Sequence, residues 1–140
     1  MKSDVEVRQD IFAIVNASEI KSAITGQVRY IPRKAGSKLE DCIISVLDSD
    51  AAQIQDCIVN VDIYVPNIPS DGESVENINR TGPLAKICET VFKDIYGDGF
   101  RVYLEKQRIL PVNGKDEYVI NNRLRYKFNN EKLCQTQQKF

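Results

Sequence analysis

The stretch DCIVNVDIYVP, residues 56–66, decides the fold because its side chains alternate between two chemical classes. Every odd position is apolar, whereas the even positions include Asp56, Asn60 and Asp62. A period of two predicts a β-strand with one face in the core and the other in contact with water. The carboxylates on the second face raise a functional question, because they form either an acidic site or the solvated side of a sheet.

Two observations argue against a metal or catalytic site on this acidic face. Neighbouring side chains on one strand face are roughly 7 Å apart, so Asp62 alone does not supply the several oxygen ligands of a hard cation. The chain also contains no histidine, which removes the commonest general base and every histidine-based triad. We therefore predict that the face is the outer side of a sheet, and that the protein is not an enzyme and needs no cofactor or metal.

Outward from this strand, apolar periodicity and turn residues predict elements in the order α-β-β-β-α-β-β. A short turn capped by Ser18 follows the first helix, and Asn113-Gly114 marks a hairpin between the last two strands. The predicted elements are a helix over 4–16, strands over 27–31, 41–49 and 56–66, a helix over 83–96, and strands over 100–110 and 117–128. This order predicts an α+β domain over residues 1–128, with a mainly antiparallel sheet, two helices packed on one face, and a flexible polar tail over 129–140.

Composition and charge narrow the class of protein. A length of 140 residues predicts one domain, and a net charge of −1 argues against a dedicated nucleic-acid binder. No apolar run approaches the roughly 20 residues that span a bilayer, so we expect no membrane partner and a cytosolic location. Four cysteines without a CxxC pair predict buried structural thiols in place of a zinc site. They are Cys42, Cys57, Cys88 and Cys134.

Basic residues recur along the two predicted C-terminal strands. They fit either a nucleic-acid surface or cross-strand ion pairs with Glu105 and Glu117 on a solvated face, and the near-neutral net charge favours the ion pairs. The basic set comprises Arg101, Arg108, Arg123, Arg125 and Lys127.

The order of elements is similar to that of the tail-completion, or tail-terminator, proteins of long-tailed bacteriophages and prophages. The resemblance covers roughly residues 5–128. It rests on the N-terminal helix, the helix over 83–96, the two closing strands, and the stretches ITGQVRYIP (24–32), LEDCIISVLDSD (39–50) and IVNVDIYVP (58–66). In that family a sheet carries two helices, and subunits form a ring that caps the tail tube beneath the head connector.

The resemblance implies that the partners are further copies of the chain in a ring, tail-tube proteins and head-connector proteins. It implies a location in the bacterial host cytoplasm during assembly and then in the neck or tail of the virion. The family has no fixed functional residues to carry over. The alternative is a small intracellular α+β domain that binds an unknown ligand or protein.

Two charged loops, over 31–40 and 66–82, are the natural contact elements of such a subunit. The first loop is basic and the second is acidic, and opposite charges on two loops suit a head-to-tail, ring-forming interface. The predicted contact residues are Arg33, Lys34 and Lys38 in the first loop, and Asp71 and Glu73 in the second. The other reading is two solvated loops whose surface charges contribute little.

Overall fold

The computed structural model describes residues 1–130 and confirms an α+β fold. The tail that was predicted from residue 129 onward lies outside these residues after Asn130, and so does Cys134. The helices are α1 (Asp4–Asn16), α2 (Glu19–Ala23) and α3 (Ile78–Val91). The strands are β1 (Val28–Arg29), β2 (Cys42–Ser49), β3 (Ile54–Pro66), β4 (Ile68–Ser70), β5 (Glu73–Val75), β6 (Ile95–Tyr96), β7 (Phe100–Pro111) and β8 (Glu117–Asn129).

Strand β3, which contains the alternating stretch, lies at the centre of a sheet ordered β1-β2-β3-β8-β7-β6. It pairs with β8 along its whole length, from Ile54 opposite Asn129 to Pro66 opposite Glu117. Among the strands of residues 1–130, only the β1–β2 pair of this sheet is parallel, and its other pairs are antiparallel. The odd residues of β3 from 55 to 65 are buried, which confirms the predicted alternation.

The helices cover the face of the sheet to which the odd residues of β3 point. Their buried side chains form one hydrophobic core with β2, β3, β7 and β8. The helical members of this core are Val7, Ile11 and Val15 of α1, Ile20 of α2, and Leu84, Ala85 and Cys88 of α3. Helix α1 begins with a capping box, in which the Ser3 hydroxyl accepts from the Glu6 N–H and the Glu6 carboxylate accepts from the Ser3 N–H.

Both predicted ends of the second long helix were wrong. Helix α3 begins at Ile78, so Pro83 lies inside it and not at its first position. A residue before proline normally avoids the helical region because its Cβ meets the proline ring, but Gly82 has no Cβ. The Thr81 hydroxyl also donates to the Glu76 carboxylate at 2.6 Å, which fixes the first turn.

At its other end α3 stops at Val91 and does not reach Gly97. The Phe92 carbonyl accepts a hydrogen bond from the Leu104 N–H of β7 at 2.8 Å, and this bond turns the chain toward the sheet. Ile95, which fits the helical stripe in sequence, instead pairs with Val102 as part of β6.

The segment 66–82, which was predicted as a loop, contains the hairpin β4–β5 before α3 begins. Asp71 and Gly72 form its tip with φ of 50° and 80°. Two positive φ values in succession are the signature of a tight two-residue hairpin turn, and an Asp-Gly pair suits it. The acidic loop is therefore a defined hairpin that projects from the end of β3.

Three cysteines, Cys42, Cys57 and Cys88, are buried free thiols, which confirms the structural role predicted for them. Burial raises the pKa of each thiol, that of Cys88 to about 12 even though Asn122 donates a hydrogen bond that opposes the shift. Because the thiolate is the reactive form, these groups are protected by both burial and protonation.

We expect that a Cys134→Ser variant will show no fast-reacting thiol toward a disulfide reagent at pH 8, because its remaining cysteines are buried. The same protein unfolded in guanidinium chloride should release three thiol equivalents at once. Absorbance of the released thiolate measures both values. A rapid native reaction would show that one of these sites opens more readily than its burial indicates.

Candidate functional site

A groove of about 750 Å³ lies at the end of the sheet where β3 ends and β8 begins. One wall is the first charged loop, residues 33–38, and the opposite wall is the β4–β5 hairpin with the residues that lead into it. The turn before β8, residues 115–117, closes the groove at one side. Residues from three separate parts of the chain therefore meet at one surface.

Arg33 holds the first loop in place through two carboxylates. Its Nε donates to Asp41 at 2.8 Å, and its Nη1 lies 2.9 Å from both carboxylate oxygens of Glu117. The guanidinium also lies over the ring of Tyr64, 4.5 Å from the ring centroid. The Arg33 side chain is 13% exposed, and both of its partners are buried. Arg33 is thus both a lining residue of the groove and part of the fold.

Asp41 gains further hydrogen bonds that favour its ionised form. Burial alone raises the pKa of Asp41, but donors on Arg33, Ser37 and the Gln27 N–H outweigh it and hold the pKa below its usual value. Burial on its own lowers the pKa of Arg33. The hydrogen bonds to Asp41 and Glu117 outweigh this effect, so the pKa of Arg33 is raised above its usual value. The ion pair therefore stays charged on both sides at neutral pH.

A second buried carboxylate, Glu40, ties the same loop to helix α3. Arg80 donates to both of its oxygens, at 2.7 Å and 2.6 Å, and also to the Ala23 carbonyl at 2.7 Å. The Thr25 hydroxyl accepts from the Glu40 N–H at 3.0 Å. Adjacent carboxylates at 40 and 41 thus anchor the end of the loop in two directions, which makes the basic wall of the groove rigid.

The structure brings together four of the five predicted contact residues. Arg33, Lys34, Lys38 and Glu73 line the groove, whereas Asp71 lies at the tip of the hairpin, outside the lining. Lys34 and Lys38 form no salt bridge within residues 1–130, and neither does Glu73.

Sequence reasoning missed Lys115 and Asp116, which also line the groove. They directly follow the Asn113-Gly114 turn, and that turn was the available signal. Their approach to the first loop depends on the register of β3 against β8, which a local pattern does not contain.

The acidic face of β3 is the outer side of the sheet, as predicted. Its residues share that face with the basic residues of β8, so Asp56 is opposite Lys127 and contacts Arg125 at 3.3 Å. Arg125 also pairs with Glu105, which confirms one predicted cross-strand partner. The other predicted partner was wrong, because Glu117 is buried against Arg33.

Asp62 differs from Asp56 because it has no cationic partner within residues 1–130. Its carboxylate accepts a hydrogen bond from Asn121 at 2.6 Å. Burial raises the pKa of Asp62, and the bond from Asn121 opposes this only in part. Over the same residues, no cluster of histidine, cysteine and carboxylate side chains has the arrangement of a metal site.

A scan against protein-family models finds no match for the chain, and no curated protein matches it. The resemblance to tail-completion proteins therefore stays a prediction. No helix within residues 1–130 combines the length and the apolar character needed to cross a membrane.

We expect Asp62→Asn to stabilise the protein at pH 7 by about 0.5–1 kcal/mol. The folded pKa of Asp62 is above its unfolded value of 3.8, so the charged side chain lowers stability progressively as pH rises through these two values. The neutral amide removes that penalty, and the gain should vanish at pH 3, where Asp62 is protonated in both states. Urea unfolding at both pH values measures the difference.

Asp56→Asn is the matched control, since Asp56 is on the same strand face but is paired with Arg125. It should leave stability unchanged or lower it slightly at pH 7. Equal gains from both substitutions would show that the effect comes from net charge and not from the burial of Asp62.

We expect the neighbouring substitutions Arg33→Ala and Lys34→Ala to distinguish a residue that stabilises the fold from one that contributes only surface charge. Arg33→Ala leaves Asp41 and Glu117 buried without their cation, so it should cost about 3–5 kcal/mol of unfolding free energy. Lys34→Ala removes an unpaired surface charge and should change stability by no more than about 0.5 kcal/mol. Denaturant unfolding measures both, and similar effects would contradict the assignment of Arg33 to the fold.

Proposed function

We propose that the protein is a structural tail-completion protein of a long-tailed phage or prophage. In this proposal it closes the tail tube, joins it to the head connector and works as a ring of identical subunits. The observation that supports it is the groove, which combines a rigid basic wall with charged side chains that have no ion-pair partner within residues 1–130. These are Lys34 and Lys38 on the first wall, Glu73 on the opposite wall, and Lys115 and Asp116 on the turn that closes the groove at one side.

The construction of the groove suits binding between proteins. Because Arg33 and Arg80 already fix the basic wall, a partner does not have to order this loop, and the entropic cost of association is lower. Charges at the rim of an interface act mainly on the association rate and on the choice of partner. A subunit that must meet the correct neighbour in a fixed orientation benefits from both properties.

A ring subunit of this kind can remain monomeric until the end of the tube brings several copies together. Each contact is then weak alone, and the template supplies the effective concentration that closes the ring. Exposed apolar side chains at the groove are few, with Ile68 at 38% exposure among its lining residues. This polar character fits a surface that stays in solution before assembly.

The second candidate is a small domain that binds a ligand, and the size of the groove favours it. A volume of about 750 Å³ lies within the range of small-molecule pockets. Lysines on one wall would then select an anionic ligand. A thermal shift that appears with small anions and saturates at one ligand per chain would favour this candidate over assembly.

The direct test is deletion of the gene in an inducible prophage. We expect unjoined heads and tails of abnormal length in electron micrographs of the induced lysate, and restoration of infectious particles by a plasmid copy. Normal infectious particles without the protein would contradict the proposed function.

Complementation with charge-reversal variants tests the groove itself. Lys34→Glu combined with Lys38→Glu should fail to restore infectivity although the protein folds normally, because the change inverts the basic wall. The control is Lys86→Glu combined with Lys93→Glu, which makes the same change of charge on the exposed side of α3 and its end. Equal loss in both variants would show that net charge, and not the groove, is responsible.

A further inference from the structure

Both edges of the sheet are left open over part of their length. Strand β1 covers β2 only at Cys42 and Ile43, and β6 covers β7 only at Arg101 and Val102. Within residues 1–130, no strand pairs with the outer edge of residues 44–49 or with that of residues 106–111. Soluble proteins usually cover or blunt such edges, because unpaired backbone groups there can pair with another chain.

The two open segments match each other in length and direction. Strands β2, β3, β8 and β7 are neighbours in that order and each pair is antiparallel, so β2 runs antiparallel to β7. If the sheet of one copy continues into the sheet of another, β2 therefore meets β7 as an antiparallel pair. This is the geometry that short edge strands accept most readily.

The side chains of the two segments are complementary as well. Leu47 is 56% exposed on the β2 edge, and Ile109 and Leu110 are 36% and 37% exposed on the β7 edge. Asp48 adds a carboxylate to the first edge, whereas Lys106 and Arg108 add cations to the second. None of these three charged groups forms a salt bridge within residues 1–130.

We propose that β2 of one copy pairs with β7 of a second copy, with Val46 opposite Ile109 of that copy. Val46 is paired with Val59 and Ile109 with Ile120, so both side chains are on the helix-covered face. This register therefore keeps the helices of both copies on one side of a continuous sheet. The proposal deepens the assembly role proposed above and rests on it.

The same register brings opposite charges of the two copies together on the outer face of the sheet. The bulge after Val46 places Asp48 on the outer face, opposite Ile58, and Arg108 lies on that face opposite Asn121. Asp48 then lies beside Arg108 of the second copy. Because the two edges that meet are different, each added copy leaves one open edge of each kind, and such head-to-tail contacts form a ring when the rotation from one copy to the next closes.

Cysteine cross-linking tests this pairing, in a Cys134→Ser background. The register places Ser45 opposite Leu110 of the second copy, with Cα atoms about 4.5–5.5 Å apart, a separation that a disulfide spans. Both side chains are exposed in the single subunit, so Ser45→Cys and Leu110→Cys should fold normally. The variants are expressed in the prophage deletion strain, and the particles or tails they form are oxidised mildly.

Co-expressed single variants should shift to a disulfide-linked dimer, and the double variant should give a ladder of higher oligomers. Neither single variant should dimerise alone, and neither should Ser45→Cys with Lys86→Cys, whose second cysteine is on α3. Dimers from one single variant alone would overturn the proposal, because they indicate pairing of like edges. Absence of cross-links in infectious particles would overturn it too, while the tail-completion role stands. If the strain that lacks the gene still forms normal infectious particles, and the double variant still gives a ladder of oligomers, the result would support edge pairing and contradict the tail-completion role.

Discussion

The buried guanidinium of Arg33 between Asp41 and Glu117 is the interaction on which the functional surface depends. It joins the residue before β2 to the first residue of β8. Glu117 is 84 residues from Arg33 along the chain. Two carboxylates that point into one buried space repel each other and lose water, so the site requires a cation with donors in several directions. The loop that carries Arg33 is thereby fixed, and the rim lysines beside it face the opposite hairpin from a defined wall.

The sequence contains enough to predict the sheet but not the groove. Strand β3 is long and alternates strictly, so its faces follow from period alone, and the Asn-Gly pair places the last hairpin. The special role of Arg33 has no local signal, because it is one of three loop cations and its partners are distant. Ile95 shows the opposite failure, in which a local pattern predicts the wrong element. Its spacing fits a helix, but the hydrogen bond from the Leu104 N–H of β7 to the Phe92 carbonyl ends the helix before it. In both cases a long-range contact decides what the local pattern leaves open.

The two sides of the central sheet divide the protein into a stable interior and a chemically selective exterior. The helix-covered side is apolar and continuous, and its few buried polar groups are bonded, as Asn122 is to Val61 and Gln107. The outer side places Lys106 opposite Arg123 and Arg101 opposite Lys127, pairs of like charge that lower the stability of a sheet. Asp94 forms a salt bridge with Arg101, which limits the cost of the second pair. The interior therefore has to supply the stability that the exterior does not.

The pairing of β3 with β8 has a consequence for how the chain folds. Strand β3 is made early, but its partner is the last strand described, so the centre of the sheet forms only after α3, β6 and β7 have been synthesised. Contacts of such long sequence separation make folding slow, and the β2–β3 pair waits meanwhile with an apolar face uncovered. During that interval the ribosome exit site, and any chaperone near it, meets a nascent chain whose hydrophobic strand has not yet found its partner.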